Sequence, residues 1–282
     1  MRINVKKSVT LMELLQEKLD SATKTRLKKM LKYGAVSVNG APALAGDMLL
    51  KPGQRVDIKH LGPEDRVPAP FPVLFEDRFL IAVEKPGGLL SIATETSNQH
   101  TLYRKVYAYV QAKTQEHGRV YIVHRLDRDV SGVILLAKTL ETKKKLQKEW
   151  NQTIKLYGAL VEGHPPQDQD TIKTWLREEN TLKVHSVPKG PGAQLAITRY
   201  RVKKAYDRYT LLEVRIDTGR KNQIRVHLSE LGCPVAGDEK YGAKTNPIRR
   251  LALHAYRLVF THPVTGERVT VESPLPKPFF LG

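Results

Sequence analysis

The chain has 282 residues, 40% hydrophobic and 27% charged, which excludes a disordered or fibrous protein and fits about two domains, each with its own core. Its 47 lysines and arginines against 29 acids leave a formal charge of +18, and such a surface attracts phosphate-bearing partners by releasing counterions, whatever their sequence. One cysteine, Cys233, excludes an internal disulfide and a zinc-spaced Cys/His cluster; no apolar run suits a secretory signal or a bilayer span, so no membrane partner and a cytoplasmic location are expected.

In chain order, Leu11, Leu14, Leu15 and Leu19 recur at helical spacing, and a second helix is predicted from about Thr23 to Tyr33. Leu27, Met30 and Leu31 form its apolar stripe. Lys24, Lys28 and Lys32 lie one turn apart on another face, joined by Arg26 and Lys29. A solvated cationic face and a phosphate-contacting face both fit this pattern. A strand-like AVSVNG follows, with Asn39-Gly40 as its turn, then LLKPGQRVDI with Pro52-Gly53 before an alternating strand. The run TKTRLKKMLKYGAVSVNG...LKPGQRVDI resembles the small RNA-binding domain first described in a ribosomal small-subunit protein, over about residues 9 to 59. That resemblance implies an RNA-binding domain at 1–60 whose Lys24–Lys32 helix touches RNA phosphates; the residues by themselves do not exclude DNA. Pro63, Pro68, Pro70 and Pro72 then predict an extended linker over 61–72.

A second domain is predicted over 73–282. The runs VLFEDRFLIAVEKP, VYIVHRLD, SGVILLAK, IKLYGALVEG and YTLLEVRI are β-branched or aliphatic and strand-length. Helical patterns intervene at about Thr101 to Gln115, Leu140 to Trp150 and Asn222 to Leu231. The reading is α+β with a mixed, largely antiparallel sheet; a doubly wound α/β domain would need more regular alternation.

The segment VHRLDRDVSGVILLAK, Val123 to Lys138, sets two carboxylates, two arginines and a histidine just before an apolar strand. From spacing alone this is equally a turn whose charges pair with one another or a loop holding catalytic groups against a substrate. HRLDRDVSG resembles the signature loop of the RluA-type pseudouridine synthases. EKPGGLL, KLYGALVEG, TGRKNQIRVHLSELGCPVAGDEKYG and LALHAYRLVFTHPVTGE follow in the family's order, so the resemblance covers most of residues 73 to 276.

The resemblance implies isomerisation of uridine within RNA, with neither metal nor organic cofactor. Asp127, the last letter of HRLD, would be the attacking carboxylate, at ribose carbon 1′ or on the 2′ proton; an unperturbed carboxylate is ionised at neutral pH. Tyr157 would lie against the uracil, and Arg225 would orient Asp127 and keep it charged. Arg125 would fill the stack left by the extruded nucleotide. Arg220 and Lys221 suit phosphate contact, whereas Asp129 and His124 read as structural. Two positions depart from the family pattern: Asn222 stands where histidine is frequent, and Val130 where threonine is usual. The expected partner is ribosomal RNA, with transfer RNA the second choice, and the expected state is a monomer. A non-catalytic RNA chaperone or assembly factor and a base-releasing glycosylase are the competing readings.

Overall fold

The computed structural model describes residues 2–19, 22–32, 35–43, 45–58, 69–93, 100–114, 118–179 and 183–281, without the side chains at 25, 26, 29 and 32. The described residues fall into two compact units, one drawn from Met1–Pro68 with Tyr109–Gly118, the other from Ala69–Ala108 with Arg119–Gly282. The linker expected at 61–72 lies outside the described residues as far as Pro68.

In the first unit, helix α1, Leu11–Lys18, starts at Thr10. Thr10 Oγ1 accepts the Glu13 amide at 3.3 Å, and the Glu13 carboxylate accepts the Thr10 amide at 3.0 Å. This exchange satisfies donors that a helix start leaves unpaired. Helix α2, Lys24–Lys32, adds Leu27, Met30 and Leu31 to a core shared with Leu11, Leu15, Val36 and Val56. An antiparallel sheet runs Arg2–Asn4, Arg55–Ile58, Val36–Val38, Ala41–Pro42. Asn39 and Gly40 both take positive φ, 50° and 87°, as a two-residue hairpin turn demands.

The second unit carries an 11-stranded sheet. Its main path is Val184–Val187, Gln169–Glu178, Gln194–Ala205, Tyr209–Ile216, Ile154–Glu162, Leu253–Thr261, Ser131–Ala137, Leu80–Lys85, Val73–Glu76. Ser131–Ala137 and Leu253–Thr261 run parallel, and the other described neighbours run antiparallel. The sheet is thus mixed and largely antiparallel, and the class is α+β. Helices α3, Leu102–Lys113, α4, Leu140–Lys148, and α5, Gln223–Glu230, fall within the predicted helical windows.

Helix α5 lies inside the unit: Gln223 through Leu228 are all buried. The polar members carry their partners inside. Gln223 bonds Thr198, Thr218 and the Ile197 carbonyl, and His227 bonds Thr198 and Thr174. A buried polar side chain is tolerated when its hydrogen bonds are made.

Candidate active site

Every residue of Ser131–Ala137 is buried, so the polar loop before it emerges from a fixed element. Four further ties hold that loop. His124 Nε2 accepts the Leu135 amide at 3.0 Å, and its ring stacks on Trp150 with centroids 4.7 Å apart. Burial pushes the imidazole pKa down to about 3, so His124 is a neutral acceptor, as its structural reading requires. Ser91 Oγ donates to the Leu126 carbonyl at 2.6 Å and accepts the Leu126 amide at 3.1 Å. Lys85, fully buried, donates from Nζ to the carbonyls of Arg128 (2.7 Å), Leu89 (2.7 Å) and Pro86 (3.0 Å). Ser131 Oγ meets His254 Nδ1 at 2.7 Å. Asp127 therefore sits between two residues whose backbones are pinned.

Its carboxylate opens into a small cavity of about 80 Å³, lined also by Tyr157, Arg225, Asn222, Val130 and Leu253. Tyr157 lies where Ile154–Glu162 shifts register against Leu253–Thr261, between Leu156 and Tyr157, an irregularity that re-aims a side chain. Arg225 projects from the first turn of α5, and its Nη1 stands 3.8 Å from Asp127 Oδ2, an ion pair without a hydrogen bond.

The closer partner of Arg225 is Asp238, which sequence reasoning did not single out. Asp238 is buried and accepts Arg225 Nε at 2.6 Å and Nη2 at 2.7 Å, a two-point grip that fixes the guanidinium plane. Asn222, at φ 54°, accepts Arg225 Nη1 at 3.2 Å through Oδ1 and donates from Nδ2 to the Tyr241 hydroxyl at 2.9 Å. Tyr241 in turn places its ring 4.9 Å from the guanidinium carbon. The departure at Asn222 is thus a working part of the arginine's cradle, and asparagine tolerates the left-handed φ better than most residues. Asp238 and Tyr241 come from one segment, VAGDEKYG, and both face Arg225.

Burial sets the electrostatics. It raises the Asp127 pKa, outweighing the opposite pull of Arg225, Arg125, Lys221 and Lys85. Burial also raises the Tyr157 phenol, helped by the Asp127 charge, so its hydroxyl stays protonated. Desolvation alone would lower the Arg225 pKa, but the hydrogen bonds and charge of Asp238 raise it.

Of the other predicted site residues, Arg125 and Arg220 also line the Asp127 cavity, and the rest of those described do not. Arg125 is exposed at the cavity rim. Arg220 is exposed and donates to the Leu195 carbonyl at 3.0 Å, while Lys221 pairs with Glu178, which occupies part of its capacity for phosphate. Asp129 pairs with Arg128 at 3.0 Å. Val130 is buried and lines the Asp127 cavity. Lys24 and Lys28 are exposed on α2; the side chains of Arg26, Lys29 and Lys32 lie outside those described. Among the described residues no group of histidine, cysteine and acids comes together to hold a metal, and no helix is long and apolar enough to cross a membrane.

Comparison with known proteins matches residues 79–230 to the RNA pseudouridylate synthase family. An uncharacterized RNA pseudouridine synthase of Synechocystis is 32% identical, across 96% of this chain and 87% of its own. The ribosomal large subunit pseudouridine synthase D of Neisseria meningitidis serogroup B is 33% identical, across 95% and 76%. Among solved structures, human RNA pseudouridylate synthase domain containing 4 superposes with a TM-score of 0.62 at 25% identity, across 74% of this chain and 90% of that one. With Asp127 lining a pocket of this fold, the chain belongs to the RluA-type family of RNA pseudouridine synthases.

Proposed function

We propose that Asp127 makes the attack on a uridine of ribosomal RNA, with Tyr157 against the base and Arg225 positioning the carboxylate. The observation that carries this reading is the Asp127 side chain, 23% exposed, in a pocket with a guanidinium at 3.8 Å. A carboxylate can add to ribose carbon 1′ or remove the 2′ proton. Either way the C1′–N1 bond breaks, the uracil turns, C5 joins C1′ and gives up its proton, and N1 gains one. Nothing is consumed. Tyr157, with its hydroxyl neutral, offers an apolar ring face and an uncharged polar tip beside the base. Arg125, exposed at the rim, is suited to fill the stack once the nucleotide swings out, which costs a few kcal/mol.

Ribosomal RNA is preferred because relatives of about this identity are named for the large ribosomal subunit; transfer RNA is the competing substrate. In this reading the first unit is a small RNA-binding domain, which the exposed Lys24 and Lys28 and the charge of +18 support. The chain acts as a cytoplasmic monomer. The test is chemical mapping of pseudouridine after wild type and Asp127→Asn are incubated with ribosomal and transfer RNA. New pseudouridine in ribosomal RNA with wild type alone supports the assignment. Conversion by Asp127→Asn at the wild-type rate contradicts it.

A further inference from the structure

A second cavity, of about 480 Å³, lies beside the Asp127 pocket, and Arg225 lines both. Its carboxylates are Asp129, Asp238 and Glu239. Two of these are already committed, Asp129 to Arg128 and Asp238 to Arg225. Against the exposed Glu239 stand Lys240, Arg249 and Arg250, so the wall carries surplus positive charge. Arg249 and Arg250 make no ion pair with a described carboxylate.

Arg250 is the informative residue. It is half-buried, its guanidinium carbon 5.4 Å from the Phe279 ring centre, and it donates one hydrogen bond, from Nη1 to Ser131 Oγ at 2.8 Å. A guanidinium carries five N–H donors, so most of its fork is unused by the protein. The backbone around it is shaped by glycine. A Cβ on Gly237, at φ 79°, would fall 2.4 Å from the Arg250 carbonyl oxygen, and one on Gly87 would fall 3.4 Å from Nη1. A planar, partly desolvated fork with spare donors in a cationic cavity matches two oxygens of one phosphate. The Ser131 bond joins that fork to the first residue after the loop that carries Asp127.

We propose that this cavity is a phosphodiester subsite, in which Arg250 and Arg249 hold an RNA backbone phosphate next to the nucleotide in the Asp127 pocket. The proposal rests on the reading that a uridine enters that pocket. Its test is a binding measurement, so that the two can fail separately. Fluorescent pentauridylate is titrated into the full chain by anisotropy over a range of KCl, with wild type, Arg249→Gln and Arg249→Gln/Arg250→Gln. The control is Lys144→Gln/Lys148→Gln, which removes equal charge from exposed positions on α4. Thermal unfolding checks that each variant folds.

The expected result is several-fold weaker binding for Arg249→Gln. For the double arginine variant, the slope of log affinity against log salt falls by about 0.7, the loss of one phosphate contact on a single strand; the lysine control keeps the wild-type slope. An unchanged slope in the folded double variant, an equal fall in the lysine control, or no pentauridylate binding by wild type overturns the proposal. A fall in slope with no uridine converted in any RNA would leave the subsite standing and remove the catalytic assignment instead.

Discussion

Helix α2 of the first unit and the Asp127 pocket of the second treat positive charge in opposite ways. On α2 of the first, Lys24 and Lys28 stand in solvent above buried Leu27, Met30 and Leu31. In the second, Lys85 and Arg225 are buried, and each needs at least one partner distant in sequence: the Arg128 carbonyl lies 43 residues from Lys85, and Asp238 lies 13 from Arg225. An exposed charge costs little and can be moved or replaced, whereas a buried one is tolerated only with its partners in place. Long-range surface attraction therefore belongs to the first arrangement, and fixed geometry around a reacting group belongs to the second.

The sharpest way to break the comparison is at Asp238. Asp238→Ala leaves Arg225 buried without its two-point partner and is expected to cost ~3–5 kcal/mol in urea unfolding; pseudouridine formation should fall with it. Asp238→Asn keeps the shape and an acceptor, so its loss should be smaller. Equal, small losses from both would mean that the pair does not organise the site.

Next in size is acid sensitivity. His124 has a folded pKa of about 3 and His227 of about 4, both lowered by burial from 6.5. Between these values and 6.5 the unfolded chain binds protons that the folded chain refuses. Stability is thus fully present above about pH 6.5 and is lost as pH falls, by up to ~1.4 kcal/mol per unit for each histidine. His124→Gln, which can still accept the Leu135 amide, should flatten unfolding free energy against pH. A slope equal to wild type would place the sensitivity elsewhere.

Catalysis should show the same burial. Because the Asp127 pKa is raised and attack needs the ionised form, the acid limb of kcat/KM should lie above the ordinary carboxylate range. Arg125→Gln removes one of the charges that lower this pKa and should move the limb further up. No movement would mean that Arg125 and Asp127 are electrostatically independent.

The smallest expected effect lies on α2. Replacing Lys24 and Lys28 by glutamine should change stability by less than ~0.5 kcal/mol while flattening the salt dependence of RNA binding. An unchanged salt slope would take this helix out of the RNA footprint.

What could be read from the sequence follows the same division. The α2 stripe and the Asn39-Gly40 turn are local, because period and turn chemistry act over a few residues. Asp127, Tyr157 and Arg225 were reached through a family resemblance, not through spacing. The strands Gln169–Glu178 and Gln194–Ala205 were not anticipated: TIKTWLRE and LAITRYRVKK mix charge into the pattern, and cross-strand pairing rather than intrinsic hydrophobicity holds them. The cradle of Arg225 was hidden for a related reason. Asp238, Asn222 and Tyr241 gain meaning only when the chain returns them to one point, and an isolated aspartate in VAGDEKYG carries no sign of its partner.

The central claim is that Asp127 converts a uridine of ribosomal RNA. Its most direct test is pseudouridine mapping across ribosomal and transfer RNA from cells lacking the protein, and from the same cells restored with wild type or Asp127→Asn. The expected result is a defined ribosomal site lost on deletion, restored by wild type and not by Asp127→Asn. Restoration by Asp127→Asn would contradict the assignment of the attacking group, and loss of a transfer RNA site alone would contradict the assignment of the substrate.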